Sequence, residues 1–155
     1  MRLRLSSFAG CAVADPDVVA AKIATIDRCL QRIVEVRGQR RAALLPVDVD
    51  DIVAVNLQRA IQAAIGLAAH VVATEGYGLP DTVAASFSLL ETNGVIEGNL
   101  ADRMRRMVGF RNLAVHDYQV LNPDIIEAIV TRHLDDLRSF AAHMAEQFGR
   151  LQPPP

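Results

Sequence analysis

Arg111, Asn112, His116 and Tyr118 lie within eight positions of one another and together hold the side-chain types needed to work on a phosphate. A guanidinium presents a planar fork of donors to phosphate oxygens, which an ammonium cannot match. An imidazole carries protons near neutral pH. Asn112 can orient either group through its amide. Arg103, Arg105 and Arg106 add a basic patch one to two turns upstream.

On a helix turning 100° per residue, Leu100, Met104, Met107, Arg111, Ala114 and Tyr118 fall on one stripe about 80° wide. Four of the six suit a buried seam, and a guanidinium does not, because an unpaired buried charge is costly. Two readings of Arg111 follow. It staples the fold by pairing with a carboxylate such as Asp51 or Glu127, or it faces a wet cleft and holds a phosphate. His116 is likewise either a proton carrier or a helix-end histidine favoured by the macrodipole. Five positions separate Arg111 from His116, which puts them about 140° apart on an ideal helix. For the two to converge, the helix must distort near His116, or a second protomer must complete the site.

The other histidines do not compete for this chemistry. His70 sits in an apolar helix face, as a core or interface residue would, while His133 and His143 lie ten residues apart. No histidine pair has zinc-like spacing and there is no Cys-x-x-Cys, so the expected metal and cofactor content is none.

Five helical segments position these residues. The first has Asp15 as N-cap, Pro16 behind it and Gly38 as its stop, with a seam of Val19, Ile23, Ile26, Leu30 and Ile33. The second follows Pro46, opens with Asp48, Asp50 and Asp51, and runs to about Glu75 before Gly76. A short third segment spans Asp81 to Thr92, and the fourth runs from Asn99 towards Tyr118. The fifth starts at the N-cap Asn122 and carries Ile126, Val130, His133, Leu137, Phe140 and Met144 on one stripe. No strand-like alternation competes. The expected fold is all-α: an up-and-down four-helix bundle with an additional short helix.

Composition agrees. The chain has 155 residues, enough for one domain with a real core, and 51% of them are hydrophobic, which excludes general disorder. Aromatics make up 5%, with no Trp, so small aliphatic side chains build the core. A net charge of −2 gives no global field for nucleic acid, so any such site is local. Lys22 is the only Lys, a bias towards Arg that a GC-rich genome also produces. Cys11 and Cys29 lack motif spacing and are expected to be free thiols. Residues 1–14 read as a disordered extension, 15–150 as the helical domain and 151–155 as a disordered Pro-rich tail. The longest apolar run, Ala63 to Ala73, is interrupted by His70 and falls short of a membrane span. A cytoplasmic protein with no membrane partner is expected.

The segment RNLAVHDY, Arg111 to Tyr118, resembles the Arg-x-x-x-x-His-x-Tyr motif of HepT-type HEPN toxins. The stretches DPDVVAAKIATIDRCLQRI, NLQRAIQAAIGLAAHVV, GLPDTVAASFSLLETNGVI and LADRMRRMVGFRNLAVHDY resemble that family's segments in the same order, from roughly Asp15 to Phe148. The resemblance implies a homodimeric helical bundle whose two motifs face one cleft, and a metal-independent endoribonuclease. In that frame Arg111 binds the scissile phosphate, His116 transfers protons as the RNA 2′-hydroxyl attacks, and Asn112 supports them. Arg103, Arg105 and Arg106 are the candidate RNA contacts. Tyr118 matches the tyrosine that an MntA-like nucleotidyltransferase antitoxin modifies with AMP. The rival reading is a non-enzymatic nucleotide-binding or scaffolding subunit of a nucleotidyltransferase complex.

Overall fold

The structure is a computed structural model, and it describes residues 13–38, 44–116 and 122–149. Among the described residues there are six helices and no strand: α1 Pro16–Arg37, α2 Pro46–Glu75, α3 Ala85–Thr92, α4 Gly98–His116, α5 Pro123–Arg132 and α6 Leu134–Phe148.

The starts of α1 and α5 follow from local chemistry. The Asp15 carboxylate accepts from the Asp17 N–H at 2.9 Å, and the Asn122 side chain accepts from the Asp124 N–H at 2.9 Å, each with Pro at the first helical position. Both satisfy a backbone donor that the helix cannot pair internally. α2 has no side-chain cap and opens on Pro46, with Asp48 in its first turn. It ends at Gly76, whose φ of 71° is left-handed and whose N–H returns to the Val72 carbonyl. A side chain there would be strained.

α2 occupies the middle of the bundle. It packs on α1, α3, α4 and α6, and α6 closes the ring by touching α1 and α4. α3 lies across α2 and α4. This gives the four-helix bundle with one extra short helix that the periodicity predicts, with α5 and α6 together serving as its fourth limb. Leu57, Ala60, Ile61, Ala64, Leu67 and Ala68 of α2 are fully buried. Small side chains at Ala60, Ala64 and Ala68 let neighbouring helices approach closely. α2 is long and apolar enough to cross a membrane by length and composition, but the partners that cover it are other helices of this bundle. Phe87 of α3 and Phe140 of α6 meet edge to face with ring centroids 5.4 Å apart, a favoured aromatic arrangement.

Two hydrogen bonds fix the antiparallel pairing of α1 and α2. The Ala14 N–H donates to Glu75 Oε1 at 2.9 Å, and the Asp15 N–H donates to His70 Nε2 at 3.0 Å. His70 is therefore half-buried and bonded, rather than packed in the apolar core. Ala14, at the edge of the expected extension, is buried. Residues 1–12, Cys11 among them, and the Pro-rich tail lie outside the described residues.

Two expectations are corrected. The third helix starts at Ala85, because Thr82 rather than Asp81 takes the first free donor: its hydroxyl accepts from the Ala85 N–H at 3.1 Å. The expected fifth helix is two helices. His133 breaks it, with φ −123° and ψ 0°, and its N–H closes α5 on the Ile129 carbonyl at 2.7 Å. Its ring Nδ1 lies 2.9 Å from Asp136 Oδ2 in the first turn of α6. The apolar stripe continues through the break, so periodicity alone does not reveal it.

Candidate active site

α4 carries the site. Leu100, Met104 and Met107 are buried along its stripe, as a core helix requires. Arg111, one turn beyond Met107, is half-buried. Its Nη1 donates to Asn112 Oδ1 at 3.1 Å, and among the described residues no carboxylate pairs with it. The staple reading named Glu127 as a partner. That carboxylate is taken by Arg37 at 2.7 Å. Asp51 forms no ion pair with Arg111 either. Among the described residues the guanidinium thus keeps most of its donors unused, one turn beyond the buried Leu100, Met104 and Met107, poised for an anionic ligand.

His116 is the last residue of α4, and the helix runs to it without a break. The distortion that would swing it towards Arg111 is absent, so on helix geometry the two remain about 140° apart. Neither the His116 side chain nor Tyr118 lies within the described part of the structure. Among the described residues of the motif, Arg111 and Asn112 are brought into contact.

The upstream arginines do not form one patch. Arg103 Nε donates to Asp136 Oδ1 of α6 at 2.7 Å. Arg105 turns to α3, where its Nη1 donates to Glu91 Oε1 at 3.1 Å and Ser88 Oγ at 3.3 Å. Arg106 pairs with Asp102 at 3.0 Å and is 79% exposed at its side chain. Two of the three are therefore tied to neighbouring helices, and Arg106 is the one of them whose side chain stands largely in solvent.

Sequence reasoning missed Asp136. It is a buried carboxylate held by both Arg103 and His133, and it locks α4 to the α5–α6 junction. The signal available was the His133–Asp136 spacing of three, which puts the two side chains on one helix face. Beside it, Met107, Phe110, Ile125 and Ile129 floor an apolar groove of about 450 Å³ rimmed by Arg103 and Arg106.

The all-helical bundle, with an arginine that lacks a carboxylate partner among the described residues and a histidine at the end of one core helix, matches solved HEPN toxins. The chain belongs to the HepT-like ribonuclease family, whose model matches residues 26–144. It is 42% identical over 124 residues to the mRNA nuclease HepT of Shewanella oneidensis, spanning 80% of this chain and 93% of that one. Among solved structures it resembles a tri-AMPylated Shewanella oneidensis HEPN toxin in complex with MNT antitoxin, at 40% identity and a TM-score of 0.76, covering 84% of this chain and 98% of the other. A toxin–antitoxin structure with AMP-PNP matches at 39% identity and a TM-score of 0.77, covering 84% and 99%.

Proposed function

We propose that this chain is the toxin of a cytoplasmic toxin–antitoxin pair, a homodimeric, metal-independent endoribonuclease. The carrying observation is Arg111, a half-buried guanidinium with no carboxylate partner among the described residues, on the core helix that ends at His116. The relatives that match are an mRNA nuclease and HEPN toxins.

The chemistry is a transesterification. The RNA 2′-oxygen attacks the adjacent phosphorus, the bond to the 5′-oxygen breaks, and a 2′,3′-cyclic phosphate and a 5′-hydroxyl result. One proton leaves the 2′-hydroxyl and one reaches the departing oxygen. Arg111 offsets charge on the non-bridging oxygens, which is worth most in the transition state. His116 carries the protons. Asn112, bonded to the guanidinium, holds it in orientation. The 140° separation within one helix is overcome by pairing two copies, so that motifs from both protomers share one cleft. Tyr118 is the AMPylation site for an MntA-like nucleotidyltransferase. An AMP group there competes for the Arg111 fork and repels RNA by charge.

Cleavage of single-stranded RNA by the purified chain in EDTA tests the reading. Arg111→Ala and His116→Ala should each lower turnover by about 10²- to 10⁴-fold. Undiminished cleavage by the double variant sinks it. Tight nucleotide binding with no cleavage by the wild type would instead define a scaffolding subunit.

A further inference from the structure

Eleven basic side chains lie in the described residues, and six of them, Arg32, Arg37, Arg103, Arg105, Arg106 and Arg138, have a carboxylate within 4.0 Å. Of the five without one among the described residues, Arg111 is in the site and Arg132 ends α5. Of the other three, Lys22 and Arg59 line one groove on the α1–α2 surface, and Arg28 reaches its edge through Thr25.

Lys22, Thr25, Arg59, Gln62 and Ala63 line a shallow groove of about 210 Å³ there, with no carboxylate among them. Arg28, six residues along α1 from Lys22, reaches back to Thr25 Oγ1 at 3.4 Å and so stands at the rim of the groove. Arg59, which lines the groove from α2, faces Lys22 and Thr25 of α1 across it. Gly66 makes room for the ammonium: a Cβ at that position would stand 3.2 Å from Lys22 Nζ and 3.3 Å from Cε. The chain's one lysine therefore lies across α2. Asp27, next to Arg28 in sequence, projects from the opposite flank of α1 and lines another depression with Arg138.

Clustered like charges weaken a fold unless a counter-charge offsets them. In a chain of net charge −2 acids are not scarce, yet none of them lines this groove. α1 packs chiefly on α2 and α6, and the groove is lined from α1 and α2 with no residue of the catalytic helix.

We propose that the Lys22–Arg28–Arg59 groove is a second contact for the RNA substrate, gripping the phosphate backbone remote from the bond that is cut. The proposal rests on the ribonuclease reading above and adds a prediction specific to substrate length. A short RNA that fills only the catalytic cleft does not reach the groove, whereas a long strand does. The groove then lowers KM for long RNA and leaves the chemical step untouched.

The test compares the full-length wild type with Lys22→Gln/Arg28→Gln/Arg59→Gln. Binding is measured with a long single-stranded 2′-O-methyl RNA, which cannot be cleaved, over a range of salt. Turnover is measured on a ribodinucleotide and on a long RNA. Each lost phosphate contact lowers the slope of log affinity against log salt by about 0.7, so the triple variant should lose about 2 from the slope. KM for long RNA should rise about tenfold at low salt, with kcat for both substrates and KM for the dinucleotide unchanged. Single variants, each losing about 0.7, give the same reading should the triple variant fold poorly. An unchanged slope overturns the proposal. So does unchanged RNA affinity combined with loss of binding to the nucleotidyltransferase antitoxin, which would make the groove a protein interface. A wild type that cleaves neither substrate removes the ribonuclease reading itself, a separate result.

Discussion

Arg111 and Asp136 show how the same interaction can be withheld or completed on one bundle. Arg111 has a fork of donors and, among the described residues, one neutral partner, Asn112 Oδ1 at 3.1 Å. Replacing it with Lys keeps the charge and loses the planar fork. Arg111→Lys should therefore fold normally and still lose about 10- to 100-fold in kcat/KM, the worth of one charge-assisted hydrogen bond. Asp136 is the opposite case, because its carboxylate is 12% exposed and meets Arg103 at 2.7 Å and His133 at 2.9 Å. Asp136→Asn keeps the shape and removes the charge. Arg103 is 40% exposed at its side chain, so water screens much of the pair and limits the cost. Urea denaturation should register a loss of about 1–2 kcal/mol, with turnover per folded molecule unchanged. A larger fall in turnover than in stability would place Asp136 in the site.

At the scale of elements, what the sequence discloses depends on whether a signal is local. The Asp15-Pro16 and Asn122-Pro123 starts and the glycine stops after α1 and α2 are local, and they fall where expected. Gly76 tests that logic. Its φ is 71°, and no atom lies within 4 Å of where a Cβ would stand. Gly76→Ala thus carries backbone strain without a clash and should cost about 1 kcal/mol by denaturant midpoint. Features set by tertiary partners were not legible. The break at His133 leaves the 3.6-residue stripe intact and depends on Asp136, which is itself held by Arg103 from another helix. The dispersal of Arg103, Arg105 and Arg106 was hidden for the same reason, since each partner is chosen by the packing of α3 or α6 or by a neighbour on α4. The Arg111–His116 pair was readable as residue types, and the continuous α4 now makes a second copy the remaining route to convergence.

For the whole molecule, burial of titratable groups sets a pH limit on the fold. Cys29 lies in the core of α1 at 6% exposure, and burial raises its thiol above the ordinary value of 9.0, with Arg59 and Arg28 pulling the other way. Tyr77 after α2 is raised above 10.0, first by burial and then by Glu75. Well below pH 9 both groups are neutral in the folded and unfolded chains, so neither makes stability vary. Above the unfolded thiol value, the unfolded chain ionises while the folded one does not, and stability falls as pH rises through the folded value. Tyr77 adds to the fall beyond pH 10. Melting temperature should therefore be level from neutral pH to about 8 and decline above it, and Cys29→Ala should remove the first part of that decline. The Ala variant leaves a small void and should lose about 1 kcal/mol at neutral pH, where the thiol is uncharged. Removing the positive groove by Arg28→Gln and Arg59→Gln should raise the folded thiol value further and steepen the alkaline decline. An alkaline profile that is identical in the wild type and Cys29→Ala would show that the thiol is not shielded in the folded chain, contradicting the packing of α1 against α2.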